Sequence, residues 1–243
     1  MKRFCLMVFS IFAMASATAQ EAPQNVDIEK NIRETLEKGF NVKVKEINPA
    51  GYLGLYEVYA DGHIFYTDAA AQIVFFGGDL VDVAKQKSIT AERLSVLSAI
   101  DFSELDLNNA IKQVKGNGSR KIATFEDPNC GFCKRLAVEL QSLKNVTIYT
   151  FLYPILGGNS LKKAQNMWCS KDRVAAWNDW ILRGVEPSGG AACDLSALSK
   201  NRDFGMQHSI NGTPTIIFES GARYSGMLTR DKIEENLQKP AKK

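Results

Sequence analysis

Two cysteines separated by two residues are the part of this sequence best suited to chemistry. Cys130 and Cys133 lie in the stretch FEDPNCGFCKRL, with Gly131 and Phe132 between them. A Cys-x-x-Cys pair can be a redox centre, half of a zinc site or a structural disulfide. A structural bridge over so short a loop would add little stability, because a disulfide stabilises mainly by closing long loops. The spacing therefore favours a redox pair.

A zinc site is disfavoured because it needs two further ligands at regular spacing. Cys169 and Cys193 do not form a second Cys-x-x-Cys, and His63 and His208 are isolated in the sequence. We therefore expect no metal and no other cofactor. His208 precedes the proline loop described below, and the sequence does not tell whether it lies near the cysteines.

The flanking residues predict elements that would position the two thiols. KIATFED predicts a strand, and NCGFCKRLAVELQSL predicts a helix. Cys130 would then lie in the first helical turn, where free N–H groups and the helix dipole favour a thiolate. Cys133, one turn deeper, would be the buried resolving thiol. Gly131 and Phe132 add no positive charge, so thiolate stabilisation should be moderate, which favours reshuffling disulfides over donating them.

A proline placed directly before a predicted strand supports a redox site. Thr213-Pro214 precedes the strand in the stretch INGTPTIIF. An X-Pro bond adopts the cis form at modest cost, and a cis bond here would free the Thr213 backbone to pair with an extended substrate. An ordinary trans turn proline is the alternative.

The first residues predict export. Lys2 and Arg3 precede an apolar run that ends in Ala17-Thr18-Ala19, the pattern of a cleaved signal peptide over residues 1–19. An uncleaved anchor is the alternative, but the run is short for a membrane span.

Cleavage would remove Cys5 and leave four of the five cysteines. Four cysteines allow three connectivities, of which adjacent pairing is the simplest. A Cys169–Cys193 bridge would close a loop of about 25 residues and contribute roughly 3.5 kcal/mol. A structural role is favoured for this pair over a catalytic one.

The remaining pattern predicts three segments after the signal. Residues 20–84 predict a helix and a small antiparallel sheet, with Asp61-Gly62 as a hairpin turn. Residues 85–118 predict a linker helix, running to about Lys115, and a joint. Residues 119–243 follow the order β-α-β, helices, β-β-α, a thioredoxin-type layout with a helical insertion. The small first domain has a marginal core, so it either pairs with a copy or packs on the second domain.

Composition excludes some classes of protein. The chain is 45% hydrophobic and 23% charged, which is typical of globular proteins. The formal net charge is only +3, so a nucleic-acid partner is not expected.

Together these features resemble the DsbC/DsbG family of periplasmic thiol:disulfide interchange proteins. The resemblance covers the signal peptide, the small first domain, the linker, the CGFC and GTPT motifs and the second cysteine pair. The Cys-Gly-aromatic-Cys form is closer to the DsbC branch, although Phe132 stands where tyrosine is common.

The resemblance implies a periplasmic disulfide isomerase and reductase with chaperone-like binding of misfolded exported proteins. Cys130 would be the nucleophile, Cys133 the resolving thiol, Thr213-Pro214 the cis-proline loop and Cys169–Cys193 the structural bridge. It also implies a homodimer joined through the N-terminal domain and a membrane reductase of the DsbD type. The alternatives are a DsbA-type oxidase that donates disulfides, or a chaperone whose cysteines are incidental.

Overall fold

The computed structural model describes residues 25–188 and 192–241. The predicted signal peptide, residues 1–19, lies outside the described residues. The described chain forms two main sheets, an N-terminal one of four strands and a C-terminal one of five.

The N-terminal sheet is antiparallel and carries one helix. The helix is α1 (Asn25–Phe40), and the strands, in spatial order, are β1 (Val44–Pro49), β2 (Tyr56–Ala60), β3 (His63–Thr67) and β4 (Val74–Phe75). Asp61 and Gly62 connect β2 to β3 with φ angles of 49° and 83°. Both angles are positive, as a tight two-residue hairpin requires. Ile32 and Leu36 of α1 are buried against this sheet.

The segment after this sheet differs from the predicted linker. A small hairpin, β5 (Val81–Asp82) and β6 (Lys87–Ser88), leads into α2 (Ile89–Leu97), and two 3₁₀ turns follow. The sequence pattern predicted helix to about Lys115, but β7 (Ile111–Lys115) is a strand of the C-terminal sheet. That part of the prediction is wrong. All five residues of β7 pair with a central strand of the sheet, and this tertiary pairing outweighs a weak helical preference.

The C-terminal sheet has the order β11-β10-β8-β9-β7. The four strands not yet defined are β8 (Arg120–Glu126), β9 (Val146–Leu152), β10 (Thr215–Phe218) and β11 (Arg223–Ser225). Only β8 and β9 run parallel, and α3 (Gly131–Gln141) connects them. Every residue of β9 is buried, as expected for a strand covered on both faces.

Helices cover the C-terminal sheet. They are α4 (Ser160–Trp168), α5 (Arg173–Arg183), α6 (Ser196–Gln207) and α7 (Arg230–Leu237). A disulfide between Cys169 and Cys193 joins the end of α4 to the segment before α6. The predicted helical insertion contains three helices, α4, α5 and α6. Asp172 caps α5 with its side chain, and Gly184 ends α5 in the left-handed conformation.

Gly205 of α6 is a tight packing position. A Cβ atom at Gly205 would lie 2.5 Å from the ring of Tyr153, whose hydroxyl donates to the Ile210 carbonyl at 2.9 Å. We expect Gly205→Ala to destabilise the C-terminal part by about 1–3 kcal/mol, since overpacking outweighs the helix preference of alanine. Urea unfolding followed by tryptophan fluorescence measures this, because all three tryptophans lie in α4 and α5.

Met206→Ala is the matched control, because Met206 is the next residue of α6 and its side chain is exposed. Its unfolding free energy should stay within about 0.5 kcal/mol of the parent. An unchanged midpoint for Gly205→Ala would contradict the packing argument.

Candidate functional site

A buried aspartate holds the loop that carries the cysteines. Asp127 follows β8 and is fully buried. Its Oδ1 accepts hydrogen bonds from the Asn129 backbone N–H at 2.8 Å and from the Ser160 hydroxyl at 2.7 Å. Its Oδ2 accepts from the Leu156 N–H at 2.9 Å. A buried carboxyl group needs such partners to offset its lost hydration, so these bonds fix the path between β8 and α3.

Residues of helices α4 and α5 donate hydrogen bonds to the same loop. Trp180 Nε1 donates to the Pro128 carbonyl at 2.5 Å. Lys163 Nζ lies 3.4 Å from the centre of the Trp180 ring and donates to Asn129 Oδ1 at 3.2 Å. The Trp180 indole thus helps to position the residues just before Cys130.

Cys130 is the N-cap residue of α3. Its Sγ accepts a hydrogen bond from the Cys133 N–H at 3.3 Å and donates its proton to the Thr213 carbonyl at 3.1 Å. The Cys133 N–H is one of the N–H groups at the helix start that have no intrahelical partner, and it bonds directly to the sulfur. The structure holds Cys130 and Cys133 as free thiols.

Cys133 has a very different environment, although it lies only one turn further along α3. The side chain is completely buried, in the core between α3, α4 and α5. Burial raises the pKa of the Cys133 thiol well above its usual range, and the nearby charges of Glu126 and Cys130 raise it further. Cys133 therefore stays a thiol until a base removes its proton.

Glu126, which sequence reasoning did not identify, lies beside Cys133. It is the last residue of β8 and is 1% exposed. The Thr124 hydroxyl donates to its Oε1 at 2.7 Å, while its Oε2 has no hydrogen-bond partner. Burial raises the pKa of Glu126 to about 7, against the opposing effects of the Thr124 and Cys133 side chains. The available signal was a carboxyl group at the end of a strand, next to the apolar Phe125 and two residues after Thr124.

The proline loop faces the cysteines from the other side. The Thr213-Pro214 bond is cis. The Thr213 carbonyl is the group that accepts from Cys130, and the Pro214 carbonyl accepts from the Gly226 N–H at 2.7 Å. The structure thus brings Thr213 and Cys130 together from positions 83 residues apart.

The other sequence-identified residues occupy distinct positions. Phe132 is 56% exposed, with the Arg135 guanidinium 5.0 Å from its ring centre. A side chain at Gly131 would meet open space. His208 is the C-cap residue of α6 and stacks on Phe204, with ring centres 4.2 Å apart. His63 is exposed on β3.

Within residues 25–188 and 192–241, no group of three or more His, Cys, Asp or Glu side chains is arranged to hold a metal ion. None of the helices in the same ranges is long and apolar enough to cross a membrane.

The three-point role of Asp127 can be tested by Asp127→Asn. The amide would place a donor where the carboxyl accepts, and leaving one buried donor unsatisfied costs about 1–3 kcal/mol. We expect a loss of that size in tryptophan-monitored urea unfolding, together with slower alkylation of Cys130 by iodoacetamide. Asp231→Asn, at an exposed position of α7, is the control. Parent-like stability and alkylation in Asp127→Asn would show that the loop does not need this carboxyl.

Two family descriptions match the chain. Residues 15–91 match the description "Disulfide bond isomerase protein N-terminal domain", and residues 107–240 match "Thioredoxin-like domain". The second match begins just before β7, in agreement with the place of that strand in the C-terminal sheet. The predicted fold class, a thioredoxin-like C-terminal domain with a small antiparallel N-terminal domain, is confirmed.

Named relatives agree with both descriptions. The chain is 43% identical over 200 residues to the probable thiol:disulfide interchange protein DsbC of Bordetella pertussis, covering 82% of this chain and 70% of that protein. It is 24% identical over 242 residues to DsbC of Escherichia coli, covering 97% and 96%. A solved structure of the disulfide interchange protein from Neisseria gonorrhoeae is 41% identical, with a TM-score of 0.52, covering 56% of this chain and 100% of that one.

Proposed function

Because the chain belongs to the DsbC family of thiol:disulfide interchange proteins, we propose that Cys130 is the nucleophile of its disulfide isomerase reaction and Cys133 the resolving thiol. The observation that carries this assignment is the contrast between the two sulfurs. Cys130 Sγ lies at the N-terminus of α3, between the Cys133 N–H and the Thr213 carbonyl. Cys133 lies behind it, completely buried.

The reaction begins when the Cys130 thiolate attacks one sulfur of a wrong disulfide. A bond forms between Cys130 and that sulfur, the substrate disulfide breaks, and the other substrate sulfur leaves as a thiolate. In isomerisation, a substrate thiolate attacks the mixed disulfide, forms a new substrate bridge and releases Cys130. This route consumes no electrons overall.

In reduction, Cys133 attacks Cys130 instead. The Cys130–Cys133 disulfide forms and the second substrate sulfur leaves as a thiolate, so the substrate has gained two electrons and both of its sulfurs are reduced. The pair must then be reduced again before another isomerisation. A membrane reductase of the DsbD type is the partner we propose for that step, since the family resemblance implies it.

The Thr213-Pro214 segment and Phe132 are proposed as the contact surface for substrate. Thr213 places backbone atoms within hydrogen-bond distance of Cys130 Sγ, and a substrate peptide at this segment would bring its disulfide to that sulfur. The exposed Phe132 ring adds an apolar surface beside the thiol. Misfolded exported proteins expose apolar segments that suit such a surface.

We also propose that two copies pair through the N-terminal domain. The outer strand β4 is an edge strand, and three large apolar side chains beside or within it are about half exposed or more: Ile73, Phe75 and Phe76. We call these three residues the edge patch. Exposed apolar residues on a sheet edge are typical of a surface that pairs with another chain.

Export to the periplasm completes the proposal. It rests on the signal pattern of residues 1–19 and on the family, whose members act on exported proteins. The Cys169–Cys193 bridge is consistent with an oxidising compartment.

Single substitutions of the two thiols separate their roles. We expect Cys130→Ala to abolish refolding of scrambled ribonuclease, because no attacking thiolate remains. Cys133→Ala should retain attack but accumulate mixed disulfides with substrate, visible on non-reducing gels. Met206→Ala, far from both thiols in sequence and exposed, is the activity control. Full isomerase activity in Cys130→Ala would refute the assignment.

The edge patch is tested by the double substitution Ile73→Lys and Phe75→Lys. Burying two lysines in the proposed interface should raise the dimer dissociation constant at least tenfold, which corresponds to about 1.4 kcal/mol. Sedimentation equilibrium at micromolar concentrations measures it. Val138→Lys, on the exposed face of α3, is the control and should leave the dimer intact. A monomeric parent protein, or an equally tight dimer in the double variant, would exclude this interface.

A further inference from the structure

The residues at the end of α6, which lead into the proline loop, are fixed by side chains of the C-terminal domain. Arg223 is 6% exposed and donates to the His208 and Ser209 carbonyls at 2.6 Å and 2.7 Å. The Tyr153 hydroxyl donates to the Ile210 carbonyl at 2.9 Å. Three successive carbonyl groups of this run are therefore held by the domain that contains the thiols.

Asn211, the next residue, is held from the N-terminal sheet. Its Nδ2 donates to the Asp61 carbonyl at 2.9 Å, across 150 positions of the chain. Gly62, beside Asp61 in the β2–β3 turn, has a φ of 83°. A Cβ atom at Gly62 would lie 3.0 Å from the Ser209 carbonyl oxygen and 3.7 Å from Asn211 Nδ2. The turn of one sheet thus lies directly against the residues that precede Thr213 in the other domain.

The segment between α2 and β7 extends this contact between the domains. The Ile100 N–H donates to the Gly221 carbonyl at 3.1 Å. Ile100 is 2% exposed and belongs to the same buried cluster as Ile210. Glu104 Oε2 lies 3.6 Å from His208 Nε2. The bond from Asn211 to Asp61 is therefore one part of a surface along which the two domains meet.

Gly212 makes the contact at Asn211 important for Thr213, because it lies between them. A Cβ atom at Gly212 would meet no atom within 4 Å, so close packing does not require glycine there. Glycine is the residue with the greatest backbone freedom. The Gly212 carbonyl accepts from the Thr215 hydroxyl at 2.9 Å, which fixes the chain on the β10 side. The Asn211 side chain fixes it on the other side.

We propose that Asn211 and the Asp61-Gly62 turn are positioning residues of the redox site, and that the N-terminal sheet thereby sets how fast Cys130 takes up an extended substrate. The inference rests on the proposed role of Cys130 as the nucleophile. The Thr213 carbonyl lies 3.1 Å from Cys130 Sγ. A displaced loop would therefore change where a substrate peptide lies, while the sulfur stays at the start of α3. This role of the N-terminal sheet is separate from the proposed pairing of two copies.

Formation of the mixed disulfide isolates the step that the contact should affect. In a Cys133→Ala background, Cys130 attacks a substrate and no second thiol resolves the product. The chain without its predicted signal peptide is mixed with an extended peptide whose single cysteine is disulfide-bonded to thionitrobenzoate. The Cys130 thiolate bonds to the peptide sulfur, the peptide's disulfide breaks, and thionitrobenzoate leaves as a thiolate that is followed by its absorbance. Alkylation of Cys130 by iodoacetamide, a small reagent that needs no peptide contact, is measured in parallel.

We expect Asn211→Ala to slow the reaction with the peptide about three- to tenfold, because loss of one hydrogen bond of this kind changes an equilibrium by about that factor. Gly62→Ala should have a similar effect, since its methyl group would press on the Ser209 carbonyl. Alkylation should change less than about twofold in both variants. The double variant should be no slower than the slower single one, because both changes remove the same contact.

Two matched controls separate the contact from general disturbance. Asn48→Ala removes an amide that donates to Glu46 Oε1 at 2.8 Å within β1. Gly51→Ala places alanine at a φ of 77°, with a backbone strain like that at Gly62, but its Cβ atom would meet nothing within 4 Å. Both controls should react with the peptide as the parent does.

The inference is overturned if Asn211→Ala or Gly62→Ala reacts with the peptide at the parent rate. It is also overturned if Gly51→Ala slows the reaction as much as Gly62→Ala, or if alkylation slows as much as the reaction with the peptide. Release of thionitrobenzoate that persists after Cys130→Ala contradicts the proposed function instead.

Discussion

The buried carboxyl of Asp127 is the interaction on which the site depends. It accepts hydrogen bonds from the loop itself, at Asn129, and from two segments beyond β9, at Leu156 and Ser160. One side chain thereby fixes the end of β8, the start of α3 and the approach to α4. Breaking one of these bonds would leave a buried polar group unpaired. Other conformations of the loop are therefore higher in free energy. Cys130 owes its place at the helix N-terminus to this constraint.

Glu126, the last residue of β8, and Asp127, the residue after it, have different environments. Successive side chains of a strand point to opposite faces of the sheet. Asp127 meets three hydrogen-bond donors on its side, whereas Glu126 meets one hydroxyl and a thiol in an apolar core. Burial without enough donors raises the pKa of Glu126. The two carboxyl groups thus meet different sets of hydrogen-bond donors, although they are one residue apart in the chain. Both thiols belong to the same buried cluster, but Cys130 also bonds to the Cys133 N–H and the Thr213 carbonyl, whereas Cys133 is completely buried.

The sequence predicted the features that depend on local pattern. The Cys-x-x-Cys spacing, the strand before it and the helix after it are local, and the positive-φ turn at Asp61-Gly62 follows from its residue types. The missed features depend on contacts distant in sequence. β7 is a strand because β9 offers an unpaired edge, and Glu126 is informative only once α3 covers it. The hydrogen bonds that Trp180 and Lys163 donate to the loop before Cys130 form only when two helices pack against that loop.

The position of the proline loop also depends on the N-terminal sheet. Arg223 of β11 donates to the carbonyls of His208 and Ser209, at 2.6 Å and 2.7 Å. The hairpin turn of the first sheet contacts the same segment, since Asn211 Nδ2 donates to the Asp61 carbonyl at 2.9 Å and a Cβ atom at Gly62 would lie 3.0 Å from the Ser209 carbonyl. The residues leading to Thr213 are therefore held from two sides. The carbonyl opposite Cys130 is positioned partly by a turn 150 residues earlier in the chain, which a local sequence pattern does not encode.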